Sequence, residues 1–395
     1  MSNLYGIGVR IDGTDVGPLI IEGGTIDYGR SSIFDQPGAA TCQLTLFTSD
    51  GYPQAPASWF EFGVGEWGAV SGFVDDYADE YAGPRARLSL GAPVWVAATT
   101  DSGFTAAYSD TYTGAEFRRF TGRIQSIGYE RERITLTCVD DLEAWAHVGI
   151  MTGPATDRPV ELGTARAAWL ATESPSPTTL HFVGDSGVLI RAIPATSYPL
   201  CLLAELQAIA TDSDHLLYCD RAGRVTYRGD STPAEWTAPP GIVEAESFAM
   251  DLELGAIENA VTVEFGEPDI SGVRATASAA NWTSIGAYGM RSAYYESNID
   301  DELSAGVHAA KIVATTAAAW NLPDVTLLMQ LASNAQVAEV CGLELADHVV
   351  LDTLPGGAPV PSITSQILGF TEYLASDAWE IELHLSPIPS MPTPG

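Results

Sequence analysis

The sequence predicts a mainly β chain with an α+β middle region, in which two β units flank a helix–hairpin domain. Three observations carry that prediction. Short alternating apolar and polar runs, punctuated by Gly and Pro, recur in the first and last thirds of the chain. Residues 200–229 (LCLLAELQAIATDSDHLLYCDRAGRVTYRG) run from helical spacing straight into a hairpin pattern. The order of strand types across residues 93–138 returns across residues 348–385.

The first unit, residues 1–149, opens with an alternating run at 5–11, a break at Gly13 and an apolar run at 19–22 ahead of Gly23-Gly24. Residues 43–47 (QLTLF) alternate again after the turn-like Asp35-Gln36-Pro37-Gly38. Residues 51–90 are rich in Gly, aromatics and acids without a sustained period, and read as a long insertion. Strands resume at 93–98 (PVWVAA), 119–129 (RFTGRIQSIGY) and 133–138 (RITLTC), closing on Asp140-Asp141-Leu142-Glu143.

The middle region, residues 150–241, holds a helix at 161–172 and short strands at 180–182 and 188–193. In the helix–hairpin unit that follows, Leu202, Leu203, Leu206, Ile209 and Ala210 form one apolar stripe. Residues 215–219 and 224–228 are then two strands about the turn Asp220-Arg221-Ala222-Gly223, where Asp opens a type I turn and Gly takes the left-handed position. A Pro-rich boundary at 237–241 closes the region. The second unit, residues 242–390, has strands at 259–265, 325–331, 348–351, 365–373 and 379–385, and a helix at about 300–320. Asp300 or Asp301 caps that helix and Pro323 follows it. Residues 391–395 are a short tail.

The repeat is one of pattern. VWVAA and HVVL each precede a strand with a central glycine (FTGRIQSIGY; QILGFTEY), then a closing strand (RITLTC; EIELHL). QLTLF and AVTVEF are expected to be the strands that precede each set.

Charge narrows the function. The chain has 51 acidic and 18 basic residues, a formal net charge of −33, and a sole lysine, Lys311. A protein that grips duplex DNA needs a basic footprint to displace counterions, and none is present. No apolar run approaches the roughly 18 residues of a membrane span, and the start lacks signal-peptide character. The expectation is a soluble protein made in a cytoplasm. The five cysteines, Cys42, Cys138, Cys201, Cys219 and Cys341, have no metal spacing and read as buried free thiols.

No motif carries catalysis. Gly63-Val64-Gly65-Glu66-Trp67-Gly68 matches GxGxxG literally, but an acid stands in the phosphate position and no helix start follows. Gly184-Asp185-Ser186-Gly187 resembles a protease nucleophile turn without its His partner motif, Ala146-His147-Val148 being the nearest fragment. The acidic clusters Asp75-Asp76, Asp79-Glu80 and Asp300-Asp301-Glu302 lack EF-hand spacing. His147, His181, His215, His308, His348 and His384 show no zinc spacing. No catalytic, cofactor-binding or metal residue is assigned, no cofactor is expected, and the chain reads as a non-enzyme.

Against that background, LLAELQAIATDSDHLLYCDRAGRVTYR resembles the helix–strand–D-x-x-G segment of minor tail proteins of long-tailed actinobacterial phages. RRFTGRIQSI with ITLTCVDDLEAW, and the ending LGFTEYLASDAWEIELHLSP, are similar to the corresponding strands of that family. The resemblance implies a tail hub related to baseplate hubs: two tail-tube-like β-barrel units per chain, forming a homotrimer with pseudo-six-fold symmetry. Such a ring caps the hexameric tail tube, connects to fibre or spike proteins at the tail tip of the virion, and leaves a channel for DNA exit during genome ejection. The implied neighbours are a distal tail or tail tube protein, with DNA passing unbound and no membrane insertion. The alternatives are a hexameric distal tail ring protein, or a tail-borne glycan-binding or cell-wall-degrading protein. Acids lining the channel would keep DNA from sticking.

Overall fold

Alternation along the chain becomes pairing in one large curled sheet. The computed structural model describes residues 6–15, 21–30, 35–47, 60–62, 86–99, 116–130, 133–150, 157–173, 180–184, 187–193, 200–229, 235–244, 251–252, 255, 257–317, 320–321, 324–352, 362–375 and 378–387. Most of the expected insertion at 51–90 lies outside them.

The first unit supplies β1 (Gly6–Ile11), β2 (Thr14–Asp15), β3 (Ile21–Gly29), β4 (Thr41–Phe47), a small parallel pair β5 (Phe60–Phe62) and β6 (Ala86–Leu88), then β7 (Pro93–Thr99), β8 (Glu116–Glu130) and β9 (Arg133–Val139). The middle region contains α1 (Asp141–Ala146), β10 (Gly149–Ile150), β11 (Glu161–Leu162), α2 (Gly163–Thr172), β12 (His181–Val183), β13 (Leu189–Ile190), β14 (Leu200–Cys201), α3 (Leu202–Asp212), β15 (His215–Cys219), β16 (Val225–Gly229) and β17 (Glu235–Thr237). After these come β18 (Asp251–Leu252), β19 (Ala260–Phe265), β20 (Ala275–Ala280), α4 (Trp282–Tyr288), β21 (Ser292–Glu296), α5 (Glu302–Thr316), β22 (Trp320–Asn321), β23 (Val325–Leu328), α6 (Asn334–Cys341), β24 (His348–Leu351), β25 (Ile363–Ala375) and β26 (Trp379–Pro387).

Twelve strands form the large sheet, ordered β17-β24-β25-β3-β4-β9-β8-β7-β1-β2, with β26 pairing β25 and β23. The internal repeat is visible as two matching antiparallel runs, β4-β9-β8-β7 and β23-β26-β25-β24. The long strand of each run, β8 or β25, carries a bulge against its successor. The fourth member of the second run is β23, not the expected 259–265. That segment, β19, has both edges taken by β20 and β21, and its Val261 and Val263 pack on Ala305, Ala309 and Ile312 of α5 in a separate core.

One apolar core underlies the large sheet. It joins Leu44, Val96 and Leu136 of the first run to Val349, Phe370 and Ile381 of the second. The runs meet because β25 pairs β24 along its first part and β3 along the rest. At the change of partner, Gly369 lies directly opposite Gly29, whose φ is +135°. A Cβ on Gly369 would stand 2.6 Å from the Tyr28 carbonyl oxygen and 3.2 Å from Gly29 Cα, so the central glycine of QILGFTEY is there for contact between two backbones.

The starts of α1, α4, α5 and α6 follow capping chemistry. Asp301 Oδ1 accepts from Ser304 N–H at 2.8 Å at the start of α5, as the sequence predicts. Asp140 caps α1 through Leu142 N–H at 2.9 Å, while its other oxygen accepts Ala40 N–H at 2.8 Å. Its burial raises the carboxyl to about 7.

Gly369→Ala is expected to destabilise the chain by about 1–3 kcal/mol through this overlap, whereas Gly128→Ala, whose Cβ meets nothing nearer than 3.7 Å, is expected to be near neutral. Thermal unfolding of the two variants checks this, and equal melting temperatures would disprove it. The Asp140 carboxyl makes a second prediction. Folded Asp140 keeps its proton up to about 7, while an unfolded Asp loses it near 3.8. Its stabilising contribution is therefore full below that lower value and is lost as pH rises through about 7. Asp140→Asn is expected to flatten that part of the stability profile in urea titrations, and an unchanged profile would rule the assignment out.

Candidate functional site

The helix–hairpin unit sits where the chain's parts meet. Strand β15 is buried on both faces, and its alternation divides it between two cores. Leu216 and Tyr218 enter the core of the large sheet. Leu217 and Cys219 join Val225, Tyr227, Leu206 and Ile209 in the middle core. The turn forms as its sequence requires: Gly223 N–H donates to Asp220 O at 2.8 Å, and Arg224 N–H to Asp220 Oδ1 at 2.9 Å. Gly223, at φ +82°, rests on β8, where a Cβ would lie 2.6 Å from Thr121 Cγ2. Thr121 Oγ1 donates to Arg221 O at 2.9 Å, pinning the hairpin tip to the first unit.

Buried charges complete the joint. Arg119 of β8 reaches Glu372 of β25, its Nε donating to both carboxylate oxygens at 2.9 Å while Nη2 donates to Oε1. Both side chains are sealed from solvent, at 0% and 2% exposure. Arg119 occupies a bulge of β8 against β7, which re-aims its side chain. Burial works against the Arg119 charge, and Glu372 more than offsets this, so its pKa is raised. Trp379 Nε1 donates to Glu372 Oε2 at 3.3 Å.

Arg221 lies over the Phe370 ring at 4.5 Å and donates to Cys341 O at 2.8 Å. Arg119 Nη1 donates to the same carbonyl at 3.4 Å. Cys341 is the last residue of α6, so two guanidinium groups from other elements face the negative end of that helix. Arg228 closes the set, donating to Asp347 Oδ1 at 2.7 Å, while Asp347 Oδ2 accepts Glu344 N–H at 2.8 Å. A cavity of about 210 Å³ opens beside the hairpin, walled by Tyr218, Asp220, Arg224, Arg228 and Glu344. Burial raises the Glu344 carboxyl, and Arg221 opposes that rise. The arrangement is chemically a clamp: Arg119, Arg221 and Arg228 are each tied to a buried acid or to a backbone carbonyl of another element.

Motifs singled out in the sequence do not converge here. Residues 63–68, 75–76, 79–80, 185 and 186 lie outside the described residues. His147 is exposed and 3.3 Å from Glu143. Cys42, Cys138, Cys219 and Cys341 are buried free thiols as expected, whereas Cys201 is exposed. Burial pushes the Cys138 thiol up to about 12. Among the described residues, no group of three or more His, Cys, Asp and Glu side chains is placed to hold a metal, and no helix is long and apolar enough to cross a membrane.

The fold these elements define is that of phage tail proteins. The chain is similar to a tail protein from Neisseria meningitidis MC58, with a TM-score of 0.57 and 13% identity over 97% of this chain and 96% of that one. It is similar to the 43 kDa tail protein of prophage MuSo2 from Shewanella oneidensis, with a TM-score of 0.59 and 11% identity over 98% and 100%. Prophage tail protein gp18 from Listeria monocytogenes EGD-e gives a TM-score of 0.53 and 9% identity over 98% and 95%. No protein-family model and no curated protein matches the sequence.

Arg119→Met and Glu372→Gln are each expected to cost about 3–5 kcal/mol, because each leaves a buried charge or polar group without its partner. The double variant Arg119→Met/Glu372→Gln is expected to cost clearly less than the sum of the singles. Chemical denaturation of the cycle decides this, and simple additivity would show that the pair is not coupled.

Proposed function

We propose that this chain is a structural protein of a phage tail, and that its place is the tail-tip hub, a ring capping the tail tube. One observation carries the proposal: the fold of three phage tail proteins runs through nearly the whole chain, and it contains two matching four-strand runs. Three chains with two similar units each present six related surfaces, which suits a six-fold tube. A distal ring built on one such unit per chain would not need the second run. In this reading the ring meets a distal tail or tube protein on one side and fibre or spike proteins on the other. It performs no catalysis, assembles in the host cytoplasm, and lets DNA pass through a lumen.

The net charge of −33 fits a passage that repels DNA, provided acids concentrate on the lumen wall. Native mass spectrometry with negative-stain imaging of the purified chain tests the hub. Three copies in a ring with a central hole are expected. A compact monomer or a six-membered ring would overturn the trimeric hub, the latter in favour of the distal ring.

A further inference from the structure

Acids are spread along the whole chain with one exception. Residues 270–295 contain none, and no other run of the sequence goes as long without an Asp or Glu. This stretch forms β20, α4 and most of β21. With β19 it makes a three-stranded sheet, one face of which packs on α5. Large apolar side chains leave the protein along it: Trp282 is 73% exposed and Met290 65%, and Tyr288 and Tyr294 are exposed with them.

These side chains gather at one end of the sheet. Ala280 of β20 and Ser292 of β21 lie on either side of Ala260, and Trp282 and Met290 stand two residues beyond them at that same end. On the face turned away from α5, the adjoining row Ser278–Thr262–Tyr294 is uncharged, and acids return only in the row after it, with Glu264 and Glu296. Hydrogen bonds from the fully buried Asn259 hold the segment in place. Its Nδ2 donates to Ser284 Oγ at 3.2 Å and to Gly289 O at 2.8 Å, and its Oδ1 accepts Arg291 N–H at 2.7 Å. Ser284 Oγ donates in turn to Ala317 O at 2.8 Å, just past the end of α5. The exposed Trp282 and Met290 are thus carried on a fixed mount, which lowers the ordering cost of a contact made through them.

Charge selects what covers this face. A basic partner is drawn to the acids that dominate the rest of the chain, and this end of the sheet offers it none. Anionic lipid is repelled by a net charge of −33. A second copy of the chain carries that same charge and is held off wherever acid meets acid, so its close approach requires acid-free surface. Trp, Tyr and Met are enriched at the centres of protein interfaces, where acids are depleted. We propose that the face formed by α4 and the adjoining ends of β20 and β21 is a contact between copies of this chain, with Trp282 and Met290 seated against the neighbouring copy. The contact rests on the ring reading in requiring self-association, and it holds for any number of copies.

Sedimentation velocity and native mass spectrometry of the full chain over a dilution series test the contact. The unaltered chain is expected to self-associate, and Trp282→Asp to weaken that association about tenfold or more. Met290→Asp is expected to act in the same direction and serves as the second variant should Trp282→Asp fail to fold. Leu331→Asp, at a site 60% exposed and outside the acid-free run, is expected to leave association unchanged. A trimer that both face variants leave intact would overturn the contact and keep the hub. An assembly of another size that they dissolve would keep the contact and overturn the trimeric hub, while an unaltered chain that stays monomeric at every concentration overturns both. Intact assembly together with lost binding to phosphatidylglycerol–phosphatidylcholine vesicles would overturn the contact in favour of a lipid-facing tip.

Discussion

The buried Arg119–Glu372 pair is the constraint on which the rest of the structure turns. It joins residues 253 positions apart, at the place where two similar strand runs become one sheet. A charged pair in such a place contributes little net stability compared with well-packed apolar side chains, but mispairing is costly. Two runs of like topology could meet in several registers. Any register that buries Glu372 without Arg119 leaves an uncompensated charge, worth about 3–5 kcal/mol. The Gly29–Gly369 contact acts in the same direction, because a side chain at either position would collide with the facing backbone. Charge and close approach together select one joint between the runs.

The hairpin β15–β16 then fixes the middle region to that joint. A strand packed on both faces cannot shift by one residue without exchanging the side chains given to each core. Tyr218 and Leu217 would trade places between the large-sheet core and the middle core. The tip adds direction: Arg221 and Arg119 converge on the Cys341 carbonyl from two different parts of the chain. Helix α6 has no basic residue in its own last turn, and these arginines supply the missing counter-charge.

Much of this was legible in the sequence, and the reason is local chemistry. The turn at Asp220–Gly223 and the Asp301 cap are set by residues within a few positions of one another, and both form as read. The buried side of β9 matches its alternation, with Ile134, Leu136 and Cys138 inside. Helix α6 was readable but missed: Ser333 and Gln336 form a capping box. Helix α1 hid in the acidic run after β9, where Asp140 is the cap. Glu372 also left a trace, an acid on the same strand face as Phe370 and Leu374, both buried. Its partner left none, because the bulge that turns Arg119 inward exists only once β7 is paired to β8. The placement of β19 was not legible for the same reason, since alternation shows a buried face without saying which core buries it.

Charge is distributed by the same joint. Five of the described cations are drawn inward: Arg119 and Arg166 have fully buried side chains, and Arg228, Arg274 and Lys311 are mostly covered, each facing an acid. Cations spent on internal acids cannot offset the remaining carboxylates, so the exterior carries most of a formal charge of −33. Such a surface resists close approach by DNA and by further copies of itself. Lasting contact with a second copy therefore requires apolar or hydrogen-bonded faces that exclude the acids, while contact with a different protein can use a basic one. The internal use of the arginines thus restricts, before any partner is known, which surfaces of the chain can serve in an assembly.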